Sequence, residues 1–160
     1  MSADVRLPRY DIVVDDLSGP RIAALLAEHL TDMYATSPAE SVHALDLGAL
    51  RAPDVTLWSV YDGRELVGCG ALRELAPAHG ELKSMRTAAA HRGQGIASAL
   101  LRFILDEARA RRYDRLSLET GSAAFFAPAR ALYAKHGFEI CGPFGDYRLD
   151  SCSVCMTRRL

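Results

Sequence analysis

Apolar side chains change their spacing several times along the chain, and each change predicts an element boundary. Tyr10 to Val14 is a short β-branched run and predicts a first strand. Ile22, Leu25, Leu26, His29, Leu30 and Met33 then recur at helical intervals, forming one stripe of a helix that Ser18 can cap and Pro20 can open. Ser37-Pro38 breaks it. A short second helix is expected across Val42 to Leu50, with Pro53 ending that region.

The middle is β-rich. Val55 to Tyr61 reads as a strand, Asp62-Gly63 as a hairpin turn and Glu65 to Leu75 as the returning strand. Gly68 and Gly70 weaken that strand and mark a bulge or a close approach by another group. After a turn over Pro77 to Gly80, Glu81 to Thr87 forms the next strand. Alternation along it puts Glu81, Lys83 and Met85 on one face and Leu82, Ser84 and Arg86 on the other. A long helix opens near Gly93 and runs to about Arg112, with Ile96, Leu100, Phe103 and Ile104 as its apolar face. Arg115 to Glu119 is a strand entering a Gly121-Ser122 loop. Pro128 begins a shorter helix that Gly137 ends, and Phe138 to Cys141 and Ser151 to Thr157 are final strands. Antiparallel strands followed by a strand–helix–strand unit predict an α/β (α+β mixed) fold, with a central mixed, mostly antiparallel sheet flanked by helices. A length of 160 residues suits a single domain.

Composition narrows the function classes. Hydrophobic residues make up 49% and charged residues 24%, an ordinary globular balance. The net charge of -1 gives no global attraction to nucleic acid or to an anionic membrane, so any anion site must be local. Met1 to Tyr10 is polar and interrupted by Pro8, without a secretory apolar core. No apolar run is long enough for a bilayer, and a cytoplasmic location is expected. Cys69 and Cys141 read as small buried hydrophobes. Cys152 and Cys155 have metal-like or redox-like spacing but would point to opposite faces of a strand, so no metal is expected.

Thr87 to Leu101 is the most informative segment. A strand ends, small residues pass, and Arg92-Gly93-Gln94-Gly95-Ile96-Ala97 opens a helix whose first amides lack acceptors and carry partial positive charge. Gly93 and Gly95 keep side chains away from those amides, Ala97 permits close approach, and Arg92 adds a charged fork. The pattern suits phosphate oxygens, although two glycines at a helix start also suit a plain turn. A dinucleotide fingerprint fits less well, because its third glycine position holds Ser98 and repeated strand–helix units are lacking. A P-loop fails for want of Gly-Lys-Ser or Gly-Lys-Thr.

Arg92-x-x-Gly95-x-Ala97 resembles the Arg/Gln-x-x-Gly-x-Gly/Ala motif of the GNAT superfamily of N-acetyltransferases. Glu81 to Thr87, Leu116 to Glu119 and Leu132-Tyr133-Ala134-Lys135-His136-Gly137-Phe138 are similar to its fourth strand, its fifth strand and its Leu-Tyr-x-x-x-Gly-Phe signature, in the same order. The whole chain is similar to a small branch of uncharacterised bacterial members. The resemblance implies a GNAT-like fold with acetyl-CoA as donor. It implies that the backbone of Met85, Arg86 and Thr87 pairs with the pantetheine arm and that Arg92 to Ala97 hold the pyrophosphate. It also places Tyr133 beside the coenzyme sulfur as an acid. One position departs: many members carry Asn where this chain has Phe126, which removes a pantetheine contact.

Acyl transfer to an amine requires loss of an amine proton, polarisation of the thioester carbonyl and protonation of the departing thiolate. Glu81 and Glu119 are both candidate bases, and either could instead bond a backbone amide or pair with Arg86 or Lys83. A backbone amide around Met85 to Thr87 is the candidate oxyanion donor. His29 and His43 are candidate acceptor-pocket residues, or packing residues. Arg86 could hold an acceptor carboxylate or form a salt bridge. The expected partner is a small-molecule amine, with no nucleic acid and no membrane. Family members commonly associate through edge strands, which makes a homodimer a further expectation. A protein or peptide acetyltransferase and a non-catalytic acyl-CoA sensor are the competing readings.

Overall fold

The computed structural model describes residues 9–160. Strands β1 (Asp11–Val14), β2 (Val55–Asp62), β3 (Glu65–Ala76) and β4 (His79–Thr87) run antiparallel in sequence order. With β5 (Arg115–Gly121), β6 (Glu139–Cys141) and β7 (Ser153–Arg159) they form one sheet of order β1-β2-β3-β4-β5-β7-β6. Strands β4 and β5 are its parallel pair. The mixed, mostly antiparallel sheet is as expected. Helices α1 (Pro20–Thr36) and the single turn α2 (Leu47–Leu50) cover one face, where Ile22, Leu25, Leu26 and Leu50 pack on Leu57, Cys69 and Ala71. Helix α3 (Ile96–Ala110) and Tyr133 of α4 (Ala127–Lys135) cover the other, with Leu100, Leu101 and Ile104 against Leu72, Leu82, Leu116 and Leu118. Among the described residues, no helix is long and apolar enough to cross a membrane.

Several boundaries differ from the pattern. Ser18 does not cap α1: its hydroxyl bonds the Asp16 carboxylate at 2.6 Å, and Gly19 takes the cap position without a side-chain bond. Val42 to Asp46 is not helical, because the Asp46 side chain accepts from the Ala49 amide and caps a helix that begins only at Leu47. Helix α3 starts at Ile96 rather than near Gly93, since Gly95 has φ of 81° and no helical turn can pass through it. Cys141 is half-buried rather than a core residue, and β7 begins after Cys152.

The consequential difference lies in β4. Its register against β3 moves from Ala71↔Lys83 to Cys69↔Arg86, two steps on one strand against three on the other. The extra residue is a bulge with Ser84 at φ of 53°. Strict alternation fails there. Met85 turns towards α3 with Leu82, and Arg86 joins Glu81 and Lys83 on the α1 face. Gly70 makes the bulge possible, since a Cβ there would stand 2.6 Å from Met85 Sδ and 3.0 Å from Leu100. Where the bulge begins, β4 leaves its parallel neighbour. Pairing with β5 covers His79 to Leu82 against Arg115 to Leu118 and then stops, although both strands continue.

Candidate active site

The gap between the parted strands opens into a cavity of about 650 Å³ that reaches both faces of the sheet. On the α3 side its wall begins at the helix start. The first helical bond of α3 runs from the Ala99 amide to the Gly95 carbonyl at 3.0 Å, so the amides of Ile96, Ala97 and Ser98 have no backbone acceptor. Gly93 and Gly95 have φ of 77° and 81°, and a Cβ at either would meet nothing within 4 Å. They are needed for their left-handed backbone, and the space beside them is open. Such a cradle of free amides fits a pyrophosphate. Arg92, Gly93, Gly95, Ile96 and Ala97 line the cavity; Gln94 does not, and its carbonyl lies 3.5 Å from the Tyr10 hydroxyl. The Arg92 side chain is half-exposed and 3.8 Å from Asp32.

Met85, Arg86 and Thr87 continue the wall along β4. Their edge towards β5 has no strand partner past Leu82, which leaves a ladder free for an extended arm. At the position of the departure from the family motif, the Phe126 ring packs against Gly121, where any Cβ would overlap it. Phe126 thereby closes the end of β5 and also lines the cavity.

Tyr133 and Glu119 both line the cavity near its middle. Burial, with a smaller contribution from the Glu119 charge, pushes the Tyr133 phenol well above its ordinary range. Burial also pushes Glu119 up to about 7; the Ser153 hydroxyl and, less strongly, Lys83 oppose the shift, and Glu81 and Asp150 add to it. Glu81 sits differently. It is 1% exposed and off the cavity wall, and its Oε2 accepts from the Tyr147 hydroxyl at 2.5 Å and from Lys83 Nζ at 3.3 Å. The two carboxylates that the sequence left level are therefore in different surroundings, one on the wall and one behind it.

The α1 side forms the far end of the cavity. His29 and His43 both line it. Burial, helped by the Arg86 charge, lowers His29 to about 4, so its ring is neutral at pH 7. His43 stands edge-on to Tyr147 with ring centroids 5.0 Å apart. Arg86 Nη2 lies 2.6 Å from both Glu28 and Asp32 of α1, so Arg86 ties that helix to β4 while also lining the cavity. Sequence reasoning treated Lys83 only as a possible ion-pair partner and did not single out Tyr147. Tyr147 belongs to the long connection between β6 and β7, and its hydroxyl accepts from Lys83 at 2.8 Å. No local pattern announces that contact, because the two residues are 64 positions apart.

Comparison with known proteins agrees with this geometry. A model of the acetyltransferase (GNAT) family matches residues 21–138. YsnE of Bacillus subtilis (strain 168), an uncharacterised N-acetyltransferase, is 54% identical over 149 residues, 93% of this chain and 99% of YsnE. A candidate acyl-CoA N-acyltransferase of Klebsiella pneumoniae is 29% identical with a TM-score of 0.77, over 94% of this chain and 97% of the other. A GNAT family acetyltransferase of Elizabethkingia anophelis, solved with acetyl-CoA bound, shares the fold at a TM-score of 0.68 and 21% identity, over 96% and 99% of the two chains.

Proposed function

The chain belongs to the acetyltransferase (GNAT) family, and from that premise we propose that it moves acetyl from acetyl-CoA to the primary amine of a small metabolite or amino acid, by direct attack in a ternary complex. One observation carries this reading: a single cavity joins the free amides of α3 to the α1 face through the gap between β4 and β5. A donor and an acceptor entering from opposite faces would meet in that gap, and holding two reactants together supplies a large part of a bimolecular acceleration.

Bound acetyl-CoA supplies a thioester carbonyl, to which the amine nitrogen forms a C–N bond as the C–S bond breaks. Glu119 takes the first proton from the ammonium, and its pKa near 7 suits a base at neutral pH. A backbone amide at the β4 edge donates to the developing oxyanion. Tyr133 gives its proton to the thiolate sulfur and is restored by the second amine proton, so one proton leaves through Glu119. Protonation of Glu119 removes the smaller, electrostatic part of what raises Tyr133, while burial, the larger part, keeps the phenol protonated until the thiolate departs.

The test is release of free coenzyme thiol from acetyl-CoA across a panel of amine metabolites, with the acetylated product identified by mass. Coenzyme binding without release across the panel would make the protein a sensor. Acetylation of peptides but not of free amines would make it a protein modifier.

A further inference from the structure

The α1 end of the cavity carries an unusual charge arrangement. Lys83 and Arg86 form part of its wall, and Glu119 is the acidic residue on that wall among the described residues. The counter-charges of the two cations lie off the wall: Glu81 behind Lys83, and Glu28 and Asp32 beside Arg86. Lys83 is 8% exposed, and two of its three N–H donors are used, on Tyr147 at 2.8 Å and on Glu81 at 3.3 Å. The third has no acceptor among the described residues. A buried donor left without an acceptor on a cavity wall favours a polar ligand.

We infer that the acceptor carries a carboxylate beside its amine, and that Lys83 seats this carboxylate while the nitrogen stands at Glu119. This rests on the acetyl-transfer reading above. Lys83 is then a specificity-determining residue, held by Glu81 and Tyr147 so that its free N–H serves the substrate. An acceptor without a carboxylate leaves the remaining Lys83 N–H without an acceptor in a buried site, whereas a zwitterion sets its ammonium at Glu119 and its carboxylate at that donor.

The experiment compares the intact protein on matched acceptors: α-amino acids, their carboxamides and the corresponding amines lacking the carboxyl group, each read by thiol release. A charge-assisted hydrogen bond in a buried site predicts kcat/KM roughly 10- to 100-fold higher for the carboxylated member. In Lys83→Gln this ratio should fall towards one through a rise in KM for the carboxylated acceptor, with coenzyme Kd unmoved. Should loss of Lys83 leave Glu81 too costly to bury, Lys83→Gln with Glu81→Gln keeps the pair neutral and permits the same reading. Equal or better turnover of amines lacking the carboxylate would overturn the subsite while acetyl transfer stands. A carboxylate preference that survives in Lys83→Gln would remove Lys83 from it. Bound coenzyme with no release from any acceptor would end both readings.

Discussion

At the scale of single residues, the proposed acid Tyr133 and the proposed base Glu119 are both groups whose burial shifts the pKa upward. Tyr133→Phe keeps the ring that packs against Phe138 and removes the proton. Turnover should fall by roughly 10²- to 10⁴-fold, the usual worth of a general acid, with coenzyme affinity nearly unchanged. Steady-state kinetics beside a coenzyme titration decides this, and unaltered kcat would remove Tyr133 from the mechanism. For Glu119 the sign follows from its folded pKa of about 7. A base must be ionised, so kcat/KM should rise with pH through about 7, and Glu119→Gln should lose that limb. Stability runs the other way. A carboxyl whose folded pKa lies above its unfolded value contributes stability that is present below the unfolded pKa and lost as pH rises through 7. Thermal unfolding of Glu119→Gln should therefore gain on the parent protein between pH 5 and pH 8, and an unchanging gap would mean that Glu119 is not shifted.

At the scale of elements, the proposed function rests on two irregularities. One is the left-handed turn before α3, which leaves three amides unpaired and the space beside Gly95 open. A Cβ at Gly95 meets nothing within 4 Å, so the stability cost of Gly95→Val comes chiefly from the strained backbone, about 1–2 kcal/mol. The added side chain should nevertheless abolish coenzyme binding in calorimetry, and normal affinity would sink the phosphate assignment. The other irregularity is the β4 bulge. The sequence pointed to a bulge or close approach at Gly68 and Gly70 of β3, where a register shift against β2 and the approach of Met85 to Gly70 do fall, but nothing in it marked the bulge in β4. The left-handed conformation belongs to Ser84, a residue type that gives no sign of it, and so the alternation drawn from Glu81 to Arg86 failed after Lys83.

At the scale of the whole molecule, the sheet separates two layers of helices that the gap between β4 and β5 joins, and the elements on its two faces line the same cavity. Arg86 fastens α1 to that sheet through Glu28 and Asp32. Both carboxylates are partly solvated, so Arg86→Met should cost about 1–3 kcal/mol, less than breaking a fully buried pair. Urea unfolding would measure it. With α1 loosened, KM for the acceptor should rise more than Kd for the coenzyme, because His29 and Met33 of α1 line the cavity on the face opposite the start of α3, where the acceptor is proposed to enter. Equal effects on both would place α1 outside acceptor binding.

Local pattern was enough to determine the order of strands and helices, the mixed sheet and the glycine-containing start of α3, because apolar period, turn residues and orphan helix amides are properties of contiguous chain. Tertiary structure alone decided which carboxylate reaches the cavity, how β4 changes phase at Ser84, and that Tyr147 holds Lys83 across 64 residues. Those outcomes depend on distances between segments remote in sequence and on water excluded by their packing. Neither quantity is written in any single stretch of the chain.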